Sequence, residues 1–240
     1  MTNTKSYFIP ISKPKAKRRL FCFPFAGGLA SYYLKFTKFI PEEVELVSIQ
    51  YPRHLNLKNI QELVDFIYNE IKHLTSEIPF AFFGHSMGAI VAYELSKKMI
   101  LQKDKLPLYL FISGRSAPTE SKSSSNIHTL SEEDFIKKLM ILNGLPPVFM
   151  KDRKKLQEFL PFIRNDIKLI ETWHFSNHFP LDISFVLFNG NSDPEVNLNE
   201  INSWQLHTTR KIHSYIFKGD HFYLNNYIPE IIEIIFKIWK

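Results

Sequence analysis

The residues best placed to do chemistry are Gly-His-Ser-Met-Gly at positions 84–88. They follow a short apolar run that predicts a buried strand, and they precede a stretch with helical periodicity. On a tight strand-to-helix turn the central serine hydroxyl is lifted above the sheet, and its neighbours two residues away must be small. The helix N-terminus that follows favours developing negative charge. This spacing predicts that Ser86 is a nucleophile.

A serine hydroxyl needs a general base, and the base needs an acid that orients it. When the serine lies on such a turn, the partners follow in the order acid and then histidine, each on a loop after a later strand. Asp193 follows the fifth predicted strand, with Glu195 as the alternative acid. His221 is the only histidine that follows the last predicted strand. The order of these elements therefore predicts Ser86, Asp193 and His221 as a catalytic triad.

The other eight histidines fit the role of base less well. Position excludes five of them, because they precede the acid or lie before or inside the last strand: His54, His73, His128, His207 and His213. His85 lies inside the turn, where we expect it to pack or to form a hydrogen bond. His174 and His178 are spaced as metal ligands on a helix would be, but Pro180 follows closely and no third ligand is evident. We therefore predict no metal site.

Attack on an acyl group creates an oxyanion, which two preorganised backbone N–H groups would stabilise. One donor should be the amide of Met87, the residue after the nucleophile. The other should come from residues 24–28, Pro-Phe-Ala-Gly-Gly, where small side chains let the backbone approach a substrate. We favour the Ala26 amide, with Phe25 as the alternative.

Short apolar runs alternate with helical patterns along most of the chain. This alternation is typical of a mostly parallel sheet covered by helices. Combined with the position of Ser86, it predicts an α/β-hydrolase fold in a single domain over residues 1–240. Helices are expected at 60–74, 89–99 and 228–239, and strands at 20–24, 44–51, 79–83, 108–113, 183–188 and 213–217.

The segment from about 128 to 175 interrupts this alternation. Ser131 with Asp134 three residues later resembles a helix start, and a second helical pattern runs from Leu156 to Ile170. A polar linker at 121–126 precedes the segment, and Pro146-Pro147 divides it. We interpret it as a helical lid over a pocket at the sheet edge, although an ordinary helical layer fits the pattern equally well.

The bulk composition indicates an ordinary globular chain. Hydrophobic residues make up 45% of the 240 residues and charged residues 22%. The lone cysteine, Cys22, lies mid-strand as a buried structural thiol, and the absence of a disulfide pair fits a reducing cytoplasm. The polar, lysine-rich residues before Leu20 do not resemble a signal peptide, and no apolar stretch is long enough to span a bilayer. We expect a cytoplasmic monomer without a membrane or nucleic-acid role.

A basic run near the start of the chain contributes to the formal net charge of +6. It is either a solvated arm or a docking patch for an acidic partner. No nucleic-acid-binding motif accompanies this charge. The run comprises Lys13, Lys15, Lys17, Arg18 and Arg19.

Beyond the triad, several segments resemble one enzyme family, the type II thioesterases that accompany nonribosomal peptide and polyketide synthases. The related medium-chain acyl-carrier-protein thioesterases are also similar. The resemblance runs nearly end to end, over residues 21–28 (FCFPFAGG), 80–95 (FAFFGHSMGAIVAYEL), 113–118 (SGRSAP), 130–146 (LSEEDFIKKLMILNGLP), 160–172 (LPFIRNDIKLIET) and 219–224 (GDHFYL).

The resemblance places the family's nucleophile, acid and base on Ser86, Asp193 and His221. These are the residues that the order of the predicted strands also indicates. It implies hydrolysis of acyl groups from the phosphopantetheine arm of a carrier protein, with no cofactor on the enzyme itself. Three positions depart from the family pattern. Arg53 follows Pro52 without the usual glycine between them, the acid loop is less acidic, and Asp220 replaces a usual glycine before the base.

Two other functions remain open from the sequence. The first is a small esterase or lipase acting on oxygen esters, because a triad performs both acyl transfers by one mechanism. The second is a degenerate, non-enzymatic module that binds acyl groups. An intact Ser86, Asp193 and His221 argue against this second function.

Overall fold

The computed structural model describes residues 8–11, 13–120, 126–145, 152–176 and 179–240. Most of the predicted linker at 121–126, Pro146-Pro147 and His178 lie outside the described residues. The strands are β1 (Phe8–Ile11), β2 (Arg18–Phe23), β3 (Val44–Ile49), β4 (Phe80–His85), β5 (Tyr109–Ser113), β6 (Ser184–Gly190) and β7 (His213–Phe217). The α-helices are α1 (Ile60–Thr75), α2 (Met87–Gln102), α3 (Glu132–Ile141), α4 (Arg153–Glu171) and α5 (Ile228–Ile238).

The seven strands form one sheet in the order β1-β3-β2-β4-β5-β6-β7. Strands β2 to β7 are all parallel to one another, whereas β1 pairs with β3 in the antiparallel direction. This is the mostly parallel sheet of the α/β-hydrolase fold that the sequence predicts. Six of the strands are predicted from the sequence, whereas β1 is not. It is a four-residue edge strand containing Pro10, and an edge strand is one of the few places in a sheet that tolerate proline.

Side chains that alternate along the strands divide the core into two layers. Phe21 and Phe23 of β2 point to the side covered by α1 and α2, and Leu20 and Cys22 point to the side covered by α5. Cys22 is fully buried, which raises the pKa of its thiol and makes it the structural residue that the sequence predicts. Among the described residues, no helix is long and apolar enough to cross a membrane.

The helices α3 and α4 form an insertion between β5 and β6, here called the helical insertion. The Ser131 hydroxyl accepts a hydrogen bond from the Asp134 amide at 3.2 Å and so caps α3, which confirms the predicted helix start. The insertion has a small apolar core of its own, against which Ala26 of the main domain packs. It therefore contacts the 24–28 turn directly.

Three of the five side chains in the basic run near the start of the chain form hydrogen bonds or ion pairs with other parts of the domain. The Lys13 ammonium donates to the carbonyls of Ile40 and Pro41 at 3.1 and 3.0 Å. Arg18 and Arg19 both pair with carboxylates, Arg18 with Glu43 at 2.9 Å. The surface available for an acidic partner is accordingly smaller than the sequence suggests.

Candidate active site

The turn at residues 84–88 presents Ser86 between β4 and α2. Its backbone has a φ of 55° and a ψ of −116°, a strained conformation for a residue other than glycine. The Ser86 amide donates to the Ser113 carbonyl at 2.8 Å, which ties the turn to the end of β5. A strained residue held in this way is the arrangement predicted for a nucleophile.

Positions 84 and 88, which flank Ser86 in the motif, have to be glycine because the structure has no room there for a Cβ atom. A Cβ on Gly84 would overlap the backbone carbonyl of Gly88, and a Cβ on Gly88 would overlap the backbone carbonyl of Phe23. Neither obstacle is a flexible side chain, so neither can move aside. The Gly-x-Ser-x-Gly spacing is therefore explained by the close packing of β2, β4 and α2.

Replacing Gly88 with alanine is expected to lower the free energy of unfolding by about 3 kcal/mol or more, because backbone must shift to admit the methyl group. Gly144→Ala is the matched control, since the nearest atoms to its added Cβ lie 3.6 Å away. We expect the control to change stability by less than about 1 kcal/mol. Urea denaturation of both variants measures the difference. Equal stabilities would contradict the packing explanation.

The predicted acid and base lie in hydrogen-bond contact. The Asp193 Oδ2 atom is 2.8 Å from the His221 Nδ1 atom, and both side chains are buried. The other oxygen, Oδ1, accepts from the Glu195 amide at 2.8 Å. Of the two predicted acids, it is therefore Asp193 whose carboxylate pairs with His221. With Nδ1 engaged by the carboxylate, Nε2 is the atom that can accept a proton.

The loops that carry this pair are joined by backbone contacts. The Ser192 amide donates to the Gly219 carbonyl at 2.9 Å, and the Gly219 amide donates to the Asn191 side chain at 3.0 Å. Gly190 ends β6 where a Cβ would overlap the opposing backbone of residues 219 and 220. The two loops can therefore approach closely enough for the acid to reach the base.

Asp220, one of the departures from the family pattern, has an observable role in the structure. Its Oδ1 atom accepts from the Phe222 amide at 2.9 Å, which shapes the loop around His221. Its Oδ2 atom accepts from the Asn143 side chain at 2.6 Å. Because Asn143 follows α3, this bond joins the base loop to the helical insertion.

A buried polar network lies beneath the base, and the sequence does not predict it. The His85 Nδ1 atom is 3.0 Å from the Ser113 hydroxyl, which is 2.6 Å from the Tyr223 hydroxyl. The His85 and His221 rings lie 4.9 Å apart between centroids. Burial, and then the neighbouring His221, holds the pKa of His85 well below its usual range. His85 is therefore a neutral partner in packing and hydrogen bonding, the role expected from the sequence.

Of the two predicted oxyanion donors, Met87 directly follows Ser86, and Ala26 lines the same cavity as Ser86. Met87 is the first residue of α2, so its N–H group has no acceptor within the helix. In the 24–28 turn, the Gly28 amide donates back to the Phe25 carbonyl at 2.8 Å, and Gly27 has a φ of 79°. Among the described residues, the Ala26 N–H group donates no hydrogen bond. The Phe25 ring packs edge-on against Phe222 at 4.8 Å, which holds the start of the turn.

A cavity of about 400 Å³ joins these groups, and it is lined by both Ser86 and His221. Within the described chain, no hydrogen bond joins the Ser86 hydroxyl to the His221 ring. Catalytic hydrogen bonds often tighten only when substrate binds. The helical insertion supplies much of the apolar lining, namely Ile127, Leu139, Leu142, Ile167 and Ile170. Besides Ser86 and His221, the polar lining comprises Arg115, Ser116, Glu120, Glu171, His174 and Glu195.

A buried carboxyl group of α4 contacts the 24–28 turn, and the sequence gives no sign of this contact. The Asp166 Oδ2 atom accepts from the Gly27 amide at 2.8 Å. Arg53 donates from Nη2 to the carbonyls of Gly27 and Gly28, at 3.1 Å each. Burial raises the pKa of Asp166 to about 6, and the Gly27 amide and Arg53 oppose that rise.

Asp166→Asn is expected to flatten part of the pH dependence of stability. Because the pKa of Asp166 rises from 3.8 to about 6 on folding, the folded chain holds this proton more tightly than the unfolded chain does. The resulting stabilisation is complete below about pH 4 and is lost as the pH rises through about 6. The pKa difference between the folded and unfolded chain corresponds to at most about 3 kcal/mol in the free energy of unfolding. Urea denaturation at several pH values across this range should show that the free energy of unfolding falls more steeply with rising pH in wild type than in Asp166→Asn. Parallel curves would contradict the raised pKa of Asp166.

The structure offers no metal site among the residues it describes, since no group of three or more histidine, cysteine, aspartate or glutamate side chains could hold an ion there. His174 lines the cavity, whereas His178 lies outside the described residues.

The sheet order, the strained serine and the buried histidine–aspartate pair define a serine hydrolase of the α/β-hydrolase fold. Comparison with known families identifies the class more narrowly. The model of the thioesterase domain matches residues 18–239. The chain therefore belongs to the thioesterase family, whose members act on thioesters.

Three known proteins illustrate the similarity. The gramicidin S biosynthesis protein GrsT of Aneurinibacillus migulanus is 36% identical over 92% of this chain and 89% of its own length. The structure of the type II thioesterase BorB, from the borrelidin biosynthetic cluster, superposes with a TM-score of 0.83 at 27% identity, covering 98% of this chain and 96% of that one. The medium-chain S-acyl fatty acid synthase thioesterase of Rattus norvegicus is 28% identical over 92% of this chain and 89% of its length.

Proposed function

We propose that this protein hydrolyses acyl groups from the phosphopantetheine arm of a carrier protein, as an editing or product-release enzyme of a nonribosomal peptide or polyketide synthase. Ser86 Oγ attacks the thioester carbonyl while His221 Nε2 accepts its proton. Asp193 orients the imidazole and stabilises its charged form. The amides of Met87 and Ala26 bind the oxyanion.

Collapse of the tetrahedral intermediate breaks the carbon–sulfur bond, and the thiol of the arm leaves with the proton held by His221. Water then attacks the acyl-Ser86 ester with His221 again as base, releasing the carboxylic acid and restoring the hydroxyl. Every step uses groups of this chain and water, and no cofactor on the enzyme is needed. We place the reaction in the cytoplasm and assign it to a single-domain monomer.

The observation that carries the proposal is the arrangement around one cavity. The buried Asp193–His221 pair, at 2.8 Å, and Ser86 lie beside a largely apolar space that suits an acyl chain. The similarity to GrsT, a gramicidin S biosynthesis protein, and to BorB, a type II thioesterase from a biosynthetic cluster, supports the choice of a synthase as partner.

Hydrolysis of an acyl-loaded carrier protein tests the proposal against an oxygen-ester activity. Purified enzyme is given acyl-phosphopantetheinyl carrier protein and, separately, an oxygen ester of the same acid. We expect kcat/KM for the carrier-bound thioester to exceed that for the ester by at least about 10²-fold, because the partner contributes binding energy in the transition state. Equal values would favour a general esterase and contradict the proposal.

A second candidate is release of medium-chain fatty acids from an acyl carrier protein. The apolar lining of the cavity favours it, but the relative with this activity is less similar than GrsT, at 28% against 36% identity. Carrier proteins loaded with acyl chains of increasing length distinguish the two candidates. Turnover concentrated on medium-length chains would support the second, and turnover on short or aminoacyl groups the first.

A further inference from the structure

The helical insertion holds the 24–28 turn from one side. Asp166 of α4 accepts the Gly27 amide at 2.8 Å, one residue beyond the proposed donor Ala26. Ile163, one helical turn earlier, lies so close to Gly27 that an added Cβ would come within 2.7 Å of its Cγ1 atom. The turn and the helix are therefore in direct contact at Gly27.

Arg53 holds the same turn through its carbonyl groups. Its Nη2 atom donates to both Gly27 and Gly28, at 3.1 Å each. Its guanidinium also lies 5.1 and 5.2 Å from the ring centroids of Phe159 and Phe162, two aromatic residues of α4. Through Arg53, α4 is thus connected to the turn a second time.

The contact with Asp166 fixes the peptide that follows Ala26. The Gly27 N–H group belongs to the same rigid peptide plane as the Ala26 carbonyl. The Ala26 N–H group belongs to the preceding peptide plane, which joins this one at the Ala26 Cα atom. If Gly27 loses its contact with Asp166, that shared Cα atom can move, and the plane that carries the Ala26 N–H group moves with it. An oxyanion donor has to lie about 2.7–3.1 Å from the position of the developing charge, so small rotations matter.

The carboxyl group of Asp166 makes this contact from a buried position. Its side chain is almost completely buried, and burial of a carboxylate is unfavourable unless it is compensated. The charged and titratable groups that face it are Arg53 and the Tyr51 hydroxyl.

From these contacts we propose that Asp166 is a positioning residue for the oxyanion hole, so that the helical insertion is part of the catalytic machinery as well as a wall of the cavity. Asp166 touches no substrate in this arrangement and acts through the backbone of the 24–28 turn. The proposal rests on the function proposed above, because it assigns the Ala26 amide to the oxyanion.

Three variants at position 166 separate positioning from structural support. Asp166→Asn keeps an oxygen that can accept the Gly27 amide, whereas Asp166→Ala and Asp166→Leu do not. We expect Ala and Leu to lower kcat about 10- to 100-fold with KM nearly unchanged, and Asn to retain most of kcat. Asp166→Leu preserves bulk and removes the buried charge, so it stays informative if the alanine variant is unstable.

Arg164→Ala is the matched control on the same helix. Its guanidinium donates to the carbonyls of His128 and Leu130, at 2.7 Å each, within the insertion and away from the 24–28 turn. It should lower thermal stability while leaving kcat within about twofold of wild type. A comparable fall in kcat for Arg164→Ala would mean that any loosening of the insertion is sufficient, and the specific role of Asp166 would be wrong.

The measurements are kcat and KM for an acyl-carrier thioester and the rate of Ser86 labelling by a phosphonate, whose adduct places an oxygen in the oxyanion hole. Slower labelling by Asp166→Ala and Asp166→Leu, with normal labelling by Asp166→Asn, supports the proposal. Wild-type rates in all three variants overturn it. The proposed function fails separately, if wild type shows no thioester hydrolysis or if Ser86→Ala retains it.

Discussion

Ser86→Ala is expected to lower kcat/KM for thioester hydrolysis by at least about 10⁴-fold, because no other hydroxyl takes the place of the nucleophile. The fold should survive, since the Ser86 side chain forms no hydrogen bond among the described residues and alanine adds no volume. Thermal unfolding of the variant should therefore occur within a few degrees of wild type. Steady-state hydrolysis of acyl-carrier protein and a melting curve together measure both effects.

Ser96→Ala is the matched control for this substitution. Ser96 is buried in α2, and its hydroxyl donates to the Ala92 carbonyl one turn earlier at 2.8 Å. The same loss of a hydroxyl group, at a position inside the helix that follows Ser86, should leave turnover unchanged. Retained activity in Ser86→Ala would show that the reaction does not pass through this serine.

Asp193→Asn should lower kcat by about 10³- to 10⁴-fold, with little effect on KM. The amide oxygen can still accept from Glu195, but the amide nitrogen would then face His221 Nδ1 as a donor. That pairing requires an unprotonated Nδ1 and leaves the proton on Nε2, the atom that has to receive the serine proton. The base would be present in the wrong tautomer.

Asp182→Asn is a suitable comparison, because it makes the same change at an exposed carboxylate that pairs with Arg210 on the surface. It should leave kcat unchanged, since surface ion pairs contribute little. Kinetics on both variants, with a check of folding by circular dichroism, separate the tautomer effect from loss of charge. Near wild-type turnover by Asp193→Asn would assign the acid elsewhere.

The features that the sequence predicts are those set by local backbone constraints or by chain order. The glycines at positions 84 and 88 are needed because β2, β4 and α2 pack closely around Ser86. The five-residue motif at 84–88 is therefore enough to predict this turn. The positions of Asp193 and His221 follow from strand order, because loops at the carboxyl ends of parallel strands meet at one edge of the sheet. The buried strands are recognisable because both faces are apolar.

The features that the sequence does not predict depend on contacts between distant parts of the chain. Asp166 meets Gly27 across 139 positions, and Ser113 meets Tyr223 across 110. Neither pair belongs to a motif with a fixed spacing, so only the packed structure reveals them. The edge strand β1 escapes detection for another reason, since it is short, partly exposed and held mainly by backbone pairing with β3.

These distant contacts relate the helical insertion to the chemistry. Through Asp166 it reaches the turn that would carry the oxyanion donor, and through Asn143 it reaches the loop that carries His221. The same element that shapes the acyl cavity is connected to the reacting groups.

The central claim is that Ser86 carries the acyl group between the carrier and water. Rapid-quench mass spectrometry of the enzyme with acyl-carrier protein, followed by peptide mapping, tests this directly. We predict an acyl adduct on the peptide containing Ser86 that forms within the first turnover, decays as acid is released and is absent from Ser86→Ala. Release of acid at the wild-type rate with no adduct at Ser86, or with an adduct at another residue, would contradict the account.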